Sequence, residues 1–188
     1  TITVAKDVKL QVEFNPATVA NYRLIGYENR VMAAEDFRDD TKDAGEIGAG
    51  HSVTALYEIV PRGVAPGRGA EPLKYQQQQP EPPVLKGADG EPSDDLLTVK
   101  LRWKQPEGSV STLKEFPLAD RGGAFENASD DLRFTSAVAS FGMLLRGSKE
   151  SGGMTYKKIG QIASEALGAD PGSYRAEFTD LVRKVAGK

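Results

Sequence analysis

Residues 35–51 combine the residue types that carry chemistry: carboxylates, glycines and the only histidine of the chain. Clustered carboxylates bind hard cations such as calcium and magnesium, and a carboxylate beside a histidine can act as a general acid or base. A glycine-rich turn can also hold a phosphate group. We treat the acidic residues and the histidine of this stretch as one candidate interaction loop: Glu35, Asp36, Asp39, Asp40, Asp43, Glu46 and His51.

The acidic residues do not follow the calcium-binding pattern of an EF-hand. That pattern requires glycine at the sixth position of the loop and a bidentate glutamate at the twelfth. Counted from Asp39, the sequence has Ala44 and Gly50 at those positions. A looser divalent-cation site on Asp39, Asp40 and Asp43 is a weak alternative, because two basic residues inside the stretch can neutralise these acids. We therefore predict a solvated or salt-bridged turn without metal or cofactor.

The glycines of this stretch resemble a phosphate-binding loop only in composition. A phosphate loop opens into a helix, whose N-terminal amides hold the anion. Here the glycines precede a strand-like pattern and follow acidic residues, which would repel a phosphate. Gly45, Gly48 and Gly50 therefore predict a tight connection between strands.

His51 is the one residue that could serve a catalytic triad, together with Glu46 or Asp43. Ser52 follows it directly, but neighbouring residues of a strand point to opposite faces of the sheet. We predict a structural histidine bonded to nearby backbone. A hydrolase of envelope glycans or peptides that uses this acidic loop is the alternative.

The composition sets limits on the function class. The chain has 188 residues, a net charge of -3 with interspersed signs, and no cysteine. This excludes disulfides and thiolate chemistry, and it argues against a nucleic-acid surface. No apolar run is long enough to span a bilayer. The chain begins at Thr1 rather than with methionine, so we expect a piece of a longer protein whose leader or anchor was removed.

Alternating apolar residues predict strands in the first part of the chain. One face of the first strand carries Val8, Leu10, Val12 and Phe14, whereas its polar residues occupy the other face. A second strand begins near Tyr22. A third, HSVTALYEIVP, is apolar on both faces and is expected to be central and covered on both sides. The segments DLLTVKLRWKQP and SVSTLKEFPL predict two further strands joined by a hairpin loop at residues 105–108.

Residues 61–94 interrupt the strand pattern with prolines, glycines and a tetraglutamine. Such a composition lacks the apolar side chains that offset the entropy cost of ordering. We predict a mobile insertion between two strands.

The apolar period changes from two to 3.6 near residue 129, which predicts three helices. Ser129 or Asp130 caps the first helix, Gly168 ends the second, and Asp170-Pro171 begins the third. Their predicted core stripes are, in order, Phe134, Ala137, Val138, Phe141, Leu144 and Leu145; Tyr156, Ile159, Ala163, Ala166 and Leu167; and Tyr174, Phe178, Leu181, Val182 and Val185.

Strands first and helices last predict the α+β class. We expect a β-sandwich-like antiparallel sheet region over residues 1–126 and a three-helix region over 127–188. The helices are expected to pack against the sheet as part of the same structural unit.

Several other side chains invite a functional interpretation. Tyr22, Tyr27 and Trp103 could line a carbohydrate-binding face, although core packing explains their spacing. Arginines within or beside apolar segments are expected to pair with half-buried acids; those arginines are Arg23, Arg30, Arg102 and Arg133, and the acids considered are Glu28, Glu35 and Glu58.

Four segments of the sequence resemble a known family. They are VKLQVEFNPATVANYRLIGYENR, EDFRDDTKDAGEIGAGHSVTALYEIVP, LRFTSAVASFGMLLRGS and SYRAEFTDLVRKV. Together they resemble the C-terminal domain of unknown function found in bacterial von Willebrand factor type A domain proteins. The resemblance covers nearly the whole chain outside residues 61–94.

The resemblance implies a position in a longer protein rather than an activity. It implies a type A domain in the same full-length chain, which would carry the divalent metal, and an exported or lipid-anchored protein in the periplasm or cell envelope. We therefore predict a non-enzymatic, monomeric interaction or scaffold domain that supports contact with an envelope protein. A carbohydrate-binding module is a further alternative. If the type A domain is inserted in or mounted on the sheet, the first strand should lie near the surface with an open edge.

Overall fold

The computed structural model describes residues 2–26, 31–63 and 93–187. The described part contains six strands followed by three α-helices: β1 Thr3–Phe14, β2 Val19–Ile25, β3 Gly45–Gly48, β4 Leu56–Pro61, β5 Asp95–Lys104, β6 Ser111–Ala119, α1 Asp130–Leu145, α2 Tyr156–Glu165 and α3 Tyr174–Ala186. The predicted α+β class is confirmed. The chain divides into two compact units, Thr1–Arg121 and Gly122–Lys188.

The first unit contains two antiparallel sheets. The larger sheet has four strands in the order β3-β1-β5-β6, and the smaller sheet pairs β2 with β4. β5 and β6 form the predicted hairpin, in which the Gly108 N–H donates to the Gln105 carbonyl at 2.9 Å.

The register of β1, β5 and β6 separates an apolar face from a charged face. On the apolar face, Leu97 of β5 lies between Phe14 of β1 and Leu118 of β6 in one cross-strand row. Lys9 and Arg102 are paired on the opposite face. The apolar face contacts the β2–β4 pair through a cluster of buried side chains, Phe14, Val19 and Leu97, with Val12, Tyr57, Ile59, Leu96 and Val99 packed around it.

The exposure of the β1 side chains does not follow their polarity. Leu10 on the apolar face is 51% exposed, whereas Lys9 on the polar face is 4% exposed. The smaller sheet covers the Phe14 end of β1 and leaves Leu10 open, while residues of the acidic loop cover Lys9. In addition, β1 is an inner strand, because β3 pairs with it from Thr3 to Val8 and β5 pairs with it on the other side. Its beginning is therefore not an open edge, which counts against a type A domain inserted in or mounted at that edge of the sheet.

The prediction for the third strand also needs correction. β4 begins only at Leu56, and within the described residues it pairs with β2 alone rather than lying at the centre of a sheet. Glu58 points to the surface and forms an ion pair with Arg23 of β2. This pair matches the expectation that Arg23 binds a nearby acid.

The predicted helices are present, with capping that follows the sequence signals. The Ser129 side chain accepts the Leu132 N–H at 3.2 Å and caps α1. Gly168 adopts a positive φ of 55° after α2. α3 begins at Tyr174, later than predicted, but the Asp170 carboxylate still accepts the N–H groups of Arg175 and Ala176, each at 3.0 Å.

The second unit has its own hydrophobic core. Its buried members are Ala137, Phe141, Ile159, Ala163 and Val182, drawn from all three helices. Four residues of the predicted core stripes of α1 and α3 are exposed instead: Val138, Leu145, Tyr174 and Leu181. The packing of the three helices covers only part of these two stripes.

Several predictions concern residues outside the described ranges. They include most of the 61–94 insertion and the residues Tyr27, Glu28 and Arg30. Among the helices that the structure does describe, none is both long and apolar enough to cross a membrane.

Candidate interaction site

The charged face of the larger sheet holds the acidic loop. Lys9 of β1 lies directly opposite Arg102 of β5, and Lys6 lies opposite Lys104. Like charges opposed across two strands destabilise a sheet unless negative groups compensate them. We call these four residues the basic face. The acidic loop, here residues 35–44, supplies the compensating oxygens.

Lys9 contacts the loop through backbone oxygens. Its Nζ donates to the carbonyl of Asp36 at 3.1 Å and to that of Asp39 at 2.5 Å. A buried ammonium group is stable only when its donors are satisfied. The short 3-10 helix Ala34–Phe37 turns these carbonyls toward β1. The lysine ammonium thus occupies the place that a bound cation would take in an oxygen-lined loop.

Lys104 forms the second contact with the loop. Its Nζ donates to the Asp7 carboxylate at 2.7 Å and to the Asp40 carbonyl at 2.7 Å. Asp7 also accepts the Ala44 N–H at 3.2 Å, so it connects β1 to the end of the loop. The Lys104 hydrogen bond and the Ala44 amide lower the pKa of the Asp7 carboxyl, and the Asp7 hydrogen bond raises the pKa of Lys104.

Asp40 forms the third contact, at the start of β6. Its carboxylate accepts the Ser111 N–H at 3.2 Å, and Arg102 donates to the Ser111 hydroxyl at 2.6 Å. The hydrogen bonds from the hydroxyl and the amide of Ser111 lower the pKa of Asp40. Phe37 is buried beneath this group, with the Arg102 guanidinium 5.7 Å from the ring centre.

The carboxylates considered as an alternative metal site, Asp39, Asp40 and Asp43, do not converge on one point. Asp39 accepts both the hydroxyl and the N–H of Thr41, which lowers its pKa, whereas Asp40 bonds to Ser111. Asp43 is exposed. Among residues 2–26, 31–63 and 93–187, no three histidine or acidic side chains are grouped so that they could hold a metal ion.

The remaining predicted loop residues lie at the surface. Glu35, Glu46 and His51 are exposed, and Asp36 is half-buried with Lys42 at 3.5 Å. Glu46 accepts a hydrogen bond from the Thr3 hydroxyl at 3.2 Å.

His51 does not lie at a strand start, as the sequence suggested, but five residues before β4. Its backbone N–H donates to the Gly48 carbonyl at 3.1 Å. The described hydrogen bonds do not join its ring to Asp43, Glu46 or Ser52. The structure therefore does not bring the proposed acid/base partners together.

The aromatic candidates for a carbohydrate site have packing roles where they are described. Tyr22 stacks on Phe14 with ring centres 4.1 Å apart, and Tyr57 meets the same ring edge-on at 5.3 Å. Trp103 is half-buried on the apolar face of β5. These rings do not form one exposed platform.

The apolar face of the larger sheet extends beyond the smaller sheet. Leu10, Phe116 and Leu118 are 51%, 49% and 54% exposed, and half-buried Leu101 and Trp103 lie beside them in the β5 register. We call these five residues the apolar strip. They form one continuous surface because β1, β5 and β6 place them in adjacent cross-strand rows.

Comparison with known proteins places the whole sequence in one family. Residues 1–187 match the family model described as "Uncharacterized protein YfbK, C-terminal". The chain belongs to the YfbK C-terminal family. It is 44% identical over 186 residues to the protein YfbK of Escherichia coli. The matched region covers 99% of this chain but only 30% of that relative. The comparison with solved structures found no match.

The residues that hold the loop of this YfbK C-terminal domain could not be identified from the sequence pattern. Asp7, Lys9 and Lys104 lie far from the acidic stretch and look like ordinary surface residues of strands. The only signal was the positive charge of Lys9 and Lys104, which is opposite in sign to the acidic loop, and using it required the β1–β5 register. Asp7 gave no such signal, because it carries the same charge as the loop. Arg102 was expected to pair with an acid, and within the described residues its partner is Asp40.

Proposed function

We propose that this domain is a non-enzymatic scaffold that binds another protein domain through the apolar strip. The strip is the observation that supports the proposal. Contiguous exposed apolar side chains on a soluble domain are typical of an interaction surface. The non-enzymatic part rests on the carboxylates at this site, since Asp39 and Asp40 of the loop and Asp7 of β1 are already engaged by groups of the same chain.

The partner would cover the face of the sheet rather than extend its edge. β6 is the outer strand, and it contains Pro117, which lacks the N–H that a further strand would require. Glu115 adds a charge to the same edge, on the face opposite the apolar strip. Lys114 lies opposite Leu101 on the apolar face, so its long side chain must extend to the rim of the contact while the apolar strip is buried.

The partner we propose is a von Willebrand factor type A domain of the same polypeptide. Two observations support it: the sequence resemblance, and the greater length of the Escherichia coli relative, of which the match covers 30%. In this proposal the type A domain carries the divalent metal. The assembly is exported to the periplasm or envelope, with a lipid anchor in the preceding part of the polypeptide.

The acidic loop has a second role in this proposal. The basic face holds its backbone, so the exposed carboxylates of Glu35 and Asp43 are presented at little entropy cost, and that of Glu46 follows on β3. We propose that they contact an envelope protein and select a partner with a basic surface.

Site-specific photo-crosslinking in the full-length protein tests the scaffold role. A photoreactive residue at Phe116 reports on the apolar face, whereas one at Glu115 reports on the opposite face of the same strand. We expect crosslinks from position 116 to the type A region and few from position 115. Equal yields from both positions, or none from position 116, would refute the proposal.

A further inference from the structure

The outer face of α3 is an exposed surface that the scaffold proposal does not use. Tyr174 and Leu181 are 77% and 48% exposed, whereas Thr179 and Val182 on the inner face are buried. Tyr174 and Leu181 are seven residues apart, so they lie on the same side of the helix. Together with half-buried Phe178 they line an open groove of about 610 Å3.

The Tyr174 ring packs against the turn that precedes α3, which restricts its rotation before any partner arrives. It lies against Gly172, where an added Cβ would come within 2.3 Å of the ring carbon Cε2. Ser173 between them adopts a left-handed φ of 57°, an unfavourable conformation for a residue with a side chain. A fixed aromatic side chain loses little conformational entropy when it is buried by a partner.

The groove carries two charges of opposite sign without a partner. Asp180 is neutralised by Arg183 at 3.0 Å. Glu177 and Lys184 also line the groove, and no described residue forms an ion pair with either of them. They are seven residues apart, about 10.5 Å along the helix axis. This spacing is too long for a pair within one helix.

We propose that the groove is covered by α3 of a second copy of this chain, in antiparallel orientation. A two-fold axis that places Glu177 beside the partner's Lys184 also places Lys184 beside the partner's Glu177. The midpoint between these positions lies next to Leu181, so the apolar contact falls on the axis with one ion pair on each side. This self-complementarity is what an isologous interface requires, and it replaces the monomer predicted from the sequence.

Sedimentation equilibrium of the chain and its charge variants tests this inference. We expect the average mass to rise with concentration from 20.2 kDa toward twice that value. Glu177→Lys and Lys184→Glu should each remain monomeric, because each places like charges across the axis. An equimolar mixture of the two variants should associate, since one copy then presents only positive charges and the other only negative charges.

Matched charge reversals elsewhere in the helical unit provide the controls. Glu150 and Lys157 are exposed and lie outside the groove. Glu150→Lys and Lys157→Glu should dimerise like the unmodified chain, and circular dichroism should show that all variants are folded. A mass that stays at the monomer value at every concentration, or a mixture that fails to associate, would overturn the inference. Neither result bears on the apolar strip, so the two proposals are tested independently.

Discussion

Replacing Lys9 with methionine removes the ammonium beneath the acidic loop and retains most of the buried aliphatic stem. In the native chain this ammonium donates to the carbonyls of Asp36 and Asp39, at 3.1 and 2.5 Å. The variant leaves both oxygens facing an apolar side chain. Lys9 is 4% exposed, so its ammonium is shielded from water, and each of the two carbonyls keeps one backbone hydrogen bond in the variant, from the N–H of Asp39 or Lys42 at 3.3 Å.

The expected loss of stability follows from these contacts. A hydrogen bond to a charged group contributes about 1.5–3 kcal/mol, so two bonds correspond to about 3–6 kcal/mol before relaxation. Two effects reduce this value: the desolvation cost of the buried ammonium disappears, and the freed carbonyls recover water when the loop shifts. We therefore expect the free energy of unfolding to fall by about 2 kcal/mol.

Lys100 provides the matched control on the same face of the sheet. Its Nζ pairs with Glu13 at 2.6 Å, but the Glu13 side chain is 63% exposed. An exposed pair of this kind contributes about 0–1 kcal/mol. Lys100→Met should therefore have little effect on stability.

Two assays distinguish a loop anchor from an ordinary surface lysine. Urea unfolding followed by fluorescence of Trp103, the only tryptophan of the chain, measures global stability. Limited trypsin digestion measures local opening, because Arg38 and Lys42 are exposed cleavage sites within the loop. Lys9→Met should lower the urea midpoint and speed cleavage at both sites. Equal stability and equal cleavage rates for the Lys9 and Lys100 variants would show that Lys9 does not anchor the loop.

Two further predictions concern charge and capping. The Asp7–Lys104 pair should stabilise the fold at neutral pH. The lowered pKa of Asp7 means that its contribution is present above the unfolded value of about 3.9 and is lost as pH falls through the folded value. The raised pKa of Lys104 means that its contribution is lost only as pH rises through a value above about 10.4. The urea midpoint of Asp7→Asn should accordingly depend less on pH at the acid end, and an unchanged acid slope would contradict the assignment. Separately, Asp170→Ala should destabilise the chain by about 1 kcal/mol because α3 loses its cap; thermal melts that show Asp170→Asn to be as damaging as alanine would indicate a role other than capping.

Local physical chemistry was enough to predict most elements of this fold. Strict alternation identified β1 and β5, and the 3.6 period with capping residues identified three helices. The predictions were less accurate for β4, since apolar residues on both faces of a short segment do not show how many neighbours it has. In α3 the N-cap position is Ser173 rather than Asp170, because the chain makes a further turn between Asp170 and Tyr174; the Asp170 carboxylate still accepts two amides of the first turn.

Only part of the candidate site could be predicted from the sequence. The acidic stretch, its failure as a calcium loop and its distance from phosphate-loop geometry follow from residue types and spacing alone. The direction in which the loop oxygens point does not, because it depends on donors remote in sequence: Lys9, Lys104 and Ser111.

The sequence by itself determined the class of the fold, the two faces of the strands and the family. Only the tertiary structure decided which face of the larger sheet holds the acidic loop and which face leaves apolar side chains exposed. Pairing Lys9 with Arg102 concentrates positive charge on one face, and the acidic loop lies there because its carbonyls and carboxylates compensate that charge. The same register aligns Leu10, Leu101 and Phe116 on the other face, beyond the reach of the smaller sheet. Charge compensation and strand register join distant parts of a chain, so neither can be read from a local pattern.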